Sequence, residues 1–138
     1  MVKFVLDPRL EADCIRLGEL ELSLVLLMNS SLVPWFILVP KVEENEICLL
    51  TAEQQNTLYK EINILSEFVC DSFETDKLNI GTIGNIVNQL HVHVVGRRKD
   101  DYCWPGVVWG EKEKRPYSAS EIENIRILAS SIMANGKK

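Results

Sequence analysis

The stretch N-Q-L-H-V-H-V-V-G-R-R, Asn88 to Arg98, contains both histidines of the chain. Side chains at positions i and i+2 of a β-strand point to the same face of the sheet. The spacing therefore aligns Gln89, His91 and His93 on one face. The other face is apolar and consists of Leu90, Val92 and Val94. We interpret the segment as a strand with one core face and one functional face, although an ordinary surface strand also gives this pattern.

The composition indicates one globular domain. The chain has 138 residues, 46% of them apolar, with a net charge of -5. This size and apolar content fit a single domain, residues 1–138, with a real core. The negative charge argues against a nucleic acid polymer as partner. No apolar run is long enough for a membrane span, and the N-terminal M-V-K-F-V-L-D-P lacks the apolar region and cleavage site of a signal peptide.

The cysteines are widely spaced and form no C-x-x-C motif; they are Cys14, Cys48, Cys70 and Cys103. This spacing favours reduced thiols in a cytoplasmic protein over a disulfide or zinc framework. A zinc site built from His91, His93 and Cys103 would lack an obvious fourth ligand and matches no common zinc pattern. We therefore expect neither a metal nor another cofactor.

Capping and turn signals divide the first third of the chain. Asp7-Pro8 predicts a short helix from Pro8 to Leu17 that stops at Gly18. The alternating pattern of Leu20–Met28 predicts a strand, and Trp35–Val39 predicts another, in which Trp35 is expected to pack.

A second set of signals predicts the remaining elements. Thr51 and Gln54 match a capping box, and the helix that follows, Ala52 to about Phe73, is expected to turn its Glu and Lys residues to solvent. Leu78–Ile83 and Leu90–Val95 read as the two strands of a hairpin joined around Gly84-Asn85. Ser118 or Ser120 is expected to cap a last helix. Strands in hairpins with helices elsewhere predict an antiparallel sheet in an α+β fold.

The segment Q-L-H-V-H-V-V, Gln89–Val95, resembles the signature of the histidine triad (HIT) family. That signature reads His, apolar, His, apolar, His, apolar, apolar. Gln89 stands at the position of the first histidine, His91 at the middle one and His93 at the last.

Other segments extend the resemblance over most of the chain, from about Leu20 to Lys99. W-F-I-L-V-P-K, Trp35–Lys41, resembles the family's strand that ends in Pro-Lys, and L-N-I-G-T-I-G-N-I-V, Leu78–Val87, resembles its Asn-x-Gly strand and Gly-rich turn. W-P-G-V-V-W-G, Trp104–Gly110, resembles a bacterial HIT subgroup in which Gln replaces the first histidine.

The resemblance implies a HIT-like fold, with an antiparallel sheet of about five strands and packed helices. It also implies a nucleotide-binding hydrolase or transferase, usually a homodimer. Members of the family act at the α-phosphate of nucleoside phosphoramidates, dinucleoside polyphosphates and related conjugates, through a nucleotidyl-histidine intermediate.

By the same resemblance, His91 is the nucleophile and His93 binds a phosphoryl oxygen. An imidazole can attack phosphorus near pH 7 if one ring nitrogen is free and the other is held by an acceptor such as a backbone carbonyl. His93, if protonated, would stabilise negative charge at the phosphate. Gln89 is the third candidate catalytic residue, but an amide cannot titrate. We therefore expect a preference for substrates with good leaving groups.

Three asparagines are candidate nucleotide-binding residues. Asn29 lies near the family's ribose-binding acid, Asn79 belongs to the strand beside the histidines, and Asn85 corresponds to a phosphate-contacting Gln. Ile86 replaces a residue that is often Ser or Thr, so the hydroxyl contact is lost.

Two further groups of residues have open interpretations. Arg97, Arg98 and Lys99 read either as a solvated turn or as phosphate ligands. Trp104 and Trp109 could wall a base pocket, or could be core or dimer contacts.

Two classes of function remain open. The first is a nucleotidyl hydrolase or transferase that works through His91. The second is a nucleotide-binding sensor or interaction module with little turnover, which the replaced first histidine favours. A pure scaffold, which would bind no nucleotide, is a third.

Overall fold

A computed structural model describes residues 3–134 of the chain. One antiparallel sheet contains five strands: β1 (Cys14–Glu19), β2 (Ser23–Met28), β3 (Trp35–Pro40), β4 (Lys77–Gly81) and β5 (Val92–Arg97). Their order across the sheet is β1-β2-β3-β5-β4. The helices are α1 (Pro8–Asp13), α2 (Ala52–Ser72) and α3 (Ala119–Ala129), with 3-10 turns at Ile47–Leu49 and Ser130–Ile132. The predicted α+β fold with a five-stranded antiparallel sheet is confirmed.

The predicted N-terminal helix is too long. Asp7 caps α1 by accepting a hydrogen bond from the Arg9 N–H at 2.8 Å, but the helix ends at Asp13. The next residues form β1, because pairing with β2 satisfies their backbone groups and buries Leu17 in the core. The strand predicted for Leu20–Met28 starts late, at Ser23, since residues 20–22 make the turn between β1 and β2.

Helix α2 begins with the predicted capping box. The Thr51 hydroxyl accepts from the Gln54 N–H at 3.1 Å, and the Gln54 side chain accepts from the Thr51 N–H at 3.0 Å. Its apolar stripe packs on the sheet and contains Leu58, Leu65, Phe68 and Val69.

No helix within residues 3–134 has both the length and the apolar character to cross a membrane.

Glu61 departs from the predicted solvated face of α2. It is buried, and one carboxylate oxygen accepts a hydrogen bond from the Leu22 N–H at 2.7 Å. Burial raises the pKa of this carboxyl group, and the backbone hydrogen bond acts in the opposite direction. Glu61 therefore ties α2 to the turn between β1 and β2.

The hairpin of β4 and β5 exists, but its connection is longer than predicted. Residues 82–91 separate the two strands, so Gly84-Asn85 is not a tight hairpin turn, and β5 begins only at Val92. The predicted apolar face is confirmed, since Leu90, Val92 and Val94 lie in the main core together with the stripe of α2. His93 belongs to the opposite face of the sheet.

Ser118, and not Ser120, caps α3. Its hydroxyl accepts from the Glu121 N–H at 3.2 Å, and the Glu121 carboxylate accepts from the Ser118 N–H at 2.8 Å. Ile125 and Ala129 of α3 join the same core as α2, so both long helices pack on one face of the sheet and leave the histidine face free of them.

Candidate active site

His91 lies immediately before β5 and is only 4% exposed. Its Nδ1 atom lies 2.7 Å from the backbone carbonyl oxygen of Gln89. Since a carbonyl oxygen only accepts hydrogen bonds, Nδ1 carries the proton in this contact. The neutral ring therefore keeps an unshared electron pair on Nε2. This tautomer is the one that attack through Nε2 requires.

His93, in β5, has the opposite tautomer. Its Nδ1 accepts a hydrogen bond from the indole Nε1–H of Trp35 at 2.9 Å. The proton of a neutral His93 ring is therefore on Nε2, which becomes a donor. Burial, and to a lesser degree the charge of His91, lowers the pKa of His93 from 6.5 to about 4. His93 is therefore neutral at pH 7. A neutral ring that donates through Nε2–H replaces the protonated His93 considered from the sequence.

The two imidazoles and two indoles form one aromatic cluster. The ring centroids of His91 and His93 are 4.9 Å apart, with the planes inclined at 68°. Trp35 lies 5.8 Å from His93 on the same measure, and Trp109 lies 5.5 Å from it in an edge-to-face arrangement. These contacts shield the His93 ring from water, in keeping with its exposure of only 6%.

A cavity of about 410 Å³ adjoins this cluster. Its lining is mainly apolar or aromatic, with a few polar groups, and comprises Met28, Ser30, Trp35, Ile83, Asn85, Ile86, His93, Tyr102, Val108, Trp109, Gly110, Glu111, Glu113 and Lys114. Ligand sites usually combine apolar walls with a few polar groups. Three larger hollows, two of about 520 Å³ and one of about 440 Å³, contain neither histidine, and one of the former is lined entirely by charged and polar residues. The cavity beside His93 is therefore the candidate binding site.

The Gln89 side chain is hydrogen-bonded to the N-terminal segment and is not free to act beside the histidines. Its side-chain oxygen accepts from the Asp7 N–H at 2.8 Å, and its side-chain nitrogen donates to the Val5 carbonyl at 2.9 Å. The amide thus pairs with the backbone of the N-terminal segment (residues 5–7) as a neighbouring strand would. The spacing rule placed Gln89 beside the two histidines, but it precedes β5 and the rule does not hold there.

Only one of the three candidate asparagines lines the cavity. Asn85 does so and is exposed. Asn79 accepts a hydrogen bond from the Arg97 guanidinium at 2.8 Å. The Asn29 side-chain oxygen accepts from the Tyr117 N–H at 3.0 Å and so connects the end of β2 to the segment before α3. The structure thus engages Asn79 and Asn29 in internal contacts.

Arg97 is neither a solvated turn residue nor a phosphate ligand. Its side chain is 1% exposed and makes two hydrogen bonds to Asp101, at 2.8 and 3.0 Å. Its guanidinium carbon also lies 5.5 Å from the centroid of the Trp104 ring. Burial acts to raise the pKa of Asp101, but hydrogen bonds from Arg97 and from backbone N–H groups outweigh it and lower that pKa.

Arg98, Trp104 and Trp109 differ in which of the interpretations given from the sequence they fit. Arg98 is partly exposed and pairs with Glu74 and Asp100, as in a solvated turn. Trp104 packs on Arg97, whereas Trp109 lines the cavity beside His93. The sequence spacing does not predict that the two tryptophans have different surroundings.

Cys103 contacts the arginine and not the histidines. Its sulfur lies 3.5 Å from an Arg97 nitrogen. Within residues 3–134, no group of three or more His, Cys, Asp or Glu side chains has the arrangement of a metal site.

Trp35 is a candidate functional residue that the sequence did not predict. We expected it only to pack, yet it determines which nitrogen of His93 carries the proton. The pairing of β3 with β5 brings the two residues together, although they are 58 positions apart in the chain. No local motif signals such a contact.

Comparison with known proteins gives a consistent result. A model of the HIT domain matches residues 9–100. A histidine triad protein from Marinobacter aquaeolei is 41% identical, with a TM-score of 0.91, over 96% of this chain and 97% of that chain. Another, from Sinorhizobium meliloti, is 40% identical, with a TM-score of 0.90, over 94% and 97%. A third, from Bradyrhizobium japonicum, is 37% identical, with a TM-score of 0.90, over 94% and 98%. No protein with a curated description matches the chain.

Proposed function

The chain belongs to the histidine triad (HIT) family, and on that premise we propose that it cleaves nucleotide conjugates at the α-phosphate through a nucleotidyl-His91 intermediate. Proteins of this family are in general nucleotide-binding hydrolases or transferases. The proposed substrates are nucleoside phosphoramidates, dinucleoside polyphosphates and similar conjugates. No metal or other cofactor takes part in the proposed reaction.

The observation that carries the proposal is the complementary protonation of two adjacent rings. His91 donates through Nδ1 to a carbonyl and has its electron pair on Nε2. His93 accepts at Nδ1 and has its proton on Nε2. One ring is thus a nucleophile and its neighbour a hydrogen-bond donor, and the donor ring lines the cavity. Attack on a phosphate needs both.

In the first step, the Nε2 electron pair of His91 forms a bond to the α-phosphorus, and the bond from phosphorus to the leaving group breaks. The leaving group departs with that electron pair. His93 donates its Nε2–H to a phosphoryl oxygen, where negative charge builds up in the transition state. In the second step, water attacks the same phosphorus, the N–P bond breaks and its electron pair returns to His91. The nucleoside monophosphate is released, and the proton of the water passes to solvent.

Gln89 would act mainly through its backbone in this scheme. Its carbonyl orients His91, while its side-chain amide is occupied by the N-terminal segment. An amide in that position cannot protonate a leaving group. We therefore propose that substrates with good leaving groups are preferred. We also assign the chain to the subgroup with Gln at the first triad position, which Gln89 and the segment Trp104–Gly110 support.

Nucleotide contacts are proposed for the cavity beside His93. Trp109 offers an indole wall on which a base can stack, and Asn85 offers an amide for a phosphate. Asn79 would act only indirectly, through Arg97, because its side-chain oxygen is already engaged. Asn29 is likewise engaged with Tyr117, so a ribose contact would have to use its side-chain nitrogen.

We also propose a homodimer that forms through β4. This strand lies at one edge of the sheet, and Ile80 on it is 47% exposed. An edge strand presents unpaired N–H and C=O groups to a second strand, and two copies of β4 can pair about a two-fold axis.

A cytoplasmic location is the final part of the proposal, supported by four cysteines that are all free.

The test is release of AMP without added metal, measured by chromatography. The wild-type protein and His91→Ala are incubated with adenosine phosphoramidate, an aminoacyl-adenylate analogue and dinucleoside polyphosphates. We expect many turnovers for the wild type and none for the variant. Equal release by both proteins would overturn the role of His91.

The second candidate function is a nucleotide-binding module with little turnover. The engaged amide of Gln89 and the apolar Ile86 favour it, since both remove polar groups from the proposed phosphate site. This function predicts that both proteins bind nucleotide and that neither releases AMP.

A further inference from the structure

Trp35 and His93 are held side by side by the central strands. Trp35 opens β3 and pairs with Val95 of β5, two residues beyond His93. Paired residues of antiparallel strands point to the same face, and so do residues i and i+2 of one strand. The indole and the imidazole therefore share a face of the sheet, where the Nε1 to Nδ1 distance is 2.9 Å.

This hydrogen bond has only one possible direction. An indole N–H donates and cannot accept, so Nδ1 of His93 must offer its electron pair. Among residues 3–134, no other side chain makes a hydrogen bond to His93. His91 and Trp109 contact it only through the ring faces and edges. The tautomer of His93 thus depends on Trp35.

We infer that Trp35 is a positioning residue for the proposed phosphoryl chemistry: its indole N–H keeps the proton of the neutral His93 ring on Nε2, so that the ring presents a donor to the phosphate. The inference rests on the proposed function for its chemical meaning. The hydrogen bond that it assigns is testable without substrate.

Loss of the indole N–H would change His93 in one of two ways. The ring could move its proton to Nδ1, and Nε2 would then present an electron pair to negatively charged phosphoryl oxygens. Alternatively, the ring could become protonated more easily, because a donor that bonds to the neutral form of a base disfavours the charged form. In the native protein the pKa of His93 is already lowered to about 4 by burial and by His91, which agrees with a neutral ring.

The experiment measures ring nitrogens directly by long-range ¹H–¹⁵N correlation in ¹⁵N-labelled protein between pH 5 and pH 8. In the wild type we expect Nδ1 of His93 to have the shift of an unprotonated nitrogen and Nε2 that of a protonated one. This should hold across the whole range. A protonated Nδ1 in the wild-type protein would overturn the inference without any variant.

Trp35→Phe and Trp109→Phe form a matched pair of variants. Both indoles contact the ring of His93, but the Nε1 of Trp109 is buried without a hydrogen-bond partner among residues 3–134. We expect Trp35→Phe to shift the His93 nitrogens towards the other tautomer or the charged form, and Trp109→Phe to leave them as in the wild type. Unchanged nitrogens in a folded Trp35→Phe would overturn the inference.

Kinetics then separate positioning from packing. Where the ring of Trp35→Phe takes the other tautomer, we expect kcat near neutral pH to fall by about tenfold or more, since removal of one oxyanion donor usually costs about 10²–10³ in kcat. We also expect the acid side of the pH profile of kcat to change in Trp35→Phe and to keep its wild-type shape in Trp109→Phe, which removes an indole that packs on His93 without a hydrogen bond to it. A kcat and a pH profile that stay as in the wild type would contradict the positioning role. Absence of turnover in the wild type would instead count against the proposed function, while the nitrogen shifts would still decide the hydrogen bond.

Discussion

The backbone carbonyl of Gln89 lies 2.7 Å from Nδ1 of His91, while the side chain of the same Gln89 pairs with the backbone of residues 5 and 7. One residue thus orients the proposed nucleophile through its main chain and holds the N-terminal segment through its side chain. This arrangement gives a glutamine a structural role at the position that the motif resemblance aligns with the first histidine.

Replacement of Gln89 by alanine is expected to reduce stability. The change removes two hydrogen bonds, each worth about 0.5–1.5 kcal/mol net, so the free energy of unfolding should fall by roughly 1–3 kcal/mol. Urea denaturation measures this loss. Asn88→Ala, at an exposed neighbouring amide, is the control and should change stability little. A large loss of kcat without loss of stability would show that the side chain takes part in the chemistry.

The leaving group is expected to control the rate. Without an acid at position 89, expulsion depends on the basicity of the leaving group itself, and general acid catalysis is typically worth about 10²–10⁴-fold. The nitrophenyl ester of AMP should therefore be cleaved about 100-fold or more faster than adenosine phosphoramidate. Measurement of kcat/KM for both compounds tests this, with the nucleotide part held constant. Equal values would argue for an unrecognised proton donor in the site.

Asp101→Asn is expected to destabilise the fold strongly. It breaks a pair whose side chains are 1% and 3% exposed, and loss of one partner from a buried pair costs about 3–5 kcal/mol. Asp100→Asn is the matched control: its side chain is 79% exposed in its pair with Arg98, so its effect should be under about 1 kcal/mol. Thermal and urea denaturation of both variants give the comparison, and similar small effects would contradict the structural role of Arg97.

The same pair predicts how stability depends on pH. The pKa of Asp101 is lowered from its usual 3.8, so its stabilising contribution is present at neutral pH. That contribution is lost as the pH falls through the lowered pKa of the folded state. The difference in stability between wild type and Asp101→Asn should therefore shrink in strong acid.

The proposed homodimer is expected to depend on the edge strand β4. Ile80→Lys places a charge where two copies of β4 would pair, so the protein should become a monomer in light scattering after size exclusion. Ile127→Lys is the control, because Ile127 is 63% exposed but lies on α3. A wild-type protein that is monomeric, or a dimer unaffected by Ile80→Lys, would contradict the proposed interface.

The sequence predicted the sheet, α2 and the core face of β5, because these depend on local periodicity and capping. It missed β1, since a strand in residues 14–19 is stabilised by pairing with β2 and not by its own pattern. In the site, the local motif identified His91 and His93. The partners of Gln89, Asn79 and Asn29 are 18 to 88 positions away in the chain, so the roles of these amides depend on tertiary contacts.

The stereochemistry at phosphorus tests the proposed nucleotidyl-His91 intermediate. An AMP conjugate made chiral at the α-phosphorus with sulfur is cleaved in ¹⁸O-labelled water, and the configuration of the product is determined. Attack by His91 followed by attack by water inverts the phosphorus twice, so we expect net retention. Net inversion would show direct attack by water and would contradict a nucleotidyl-His91 intermediate.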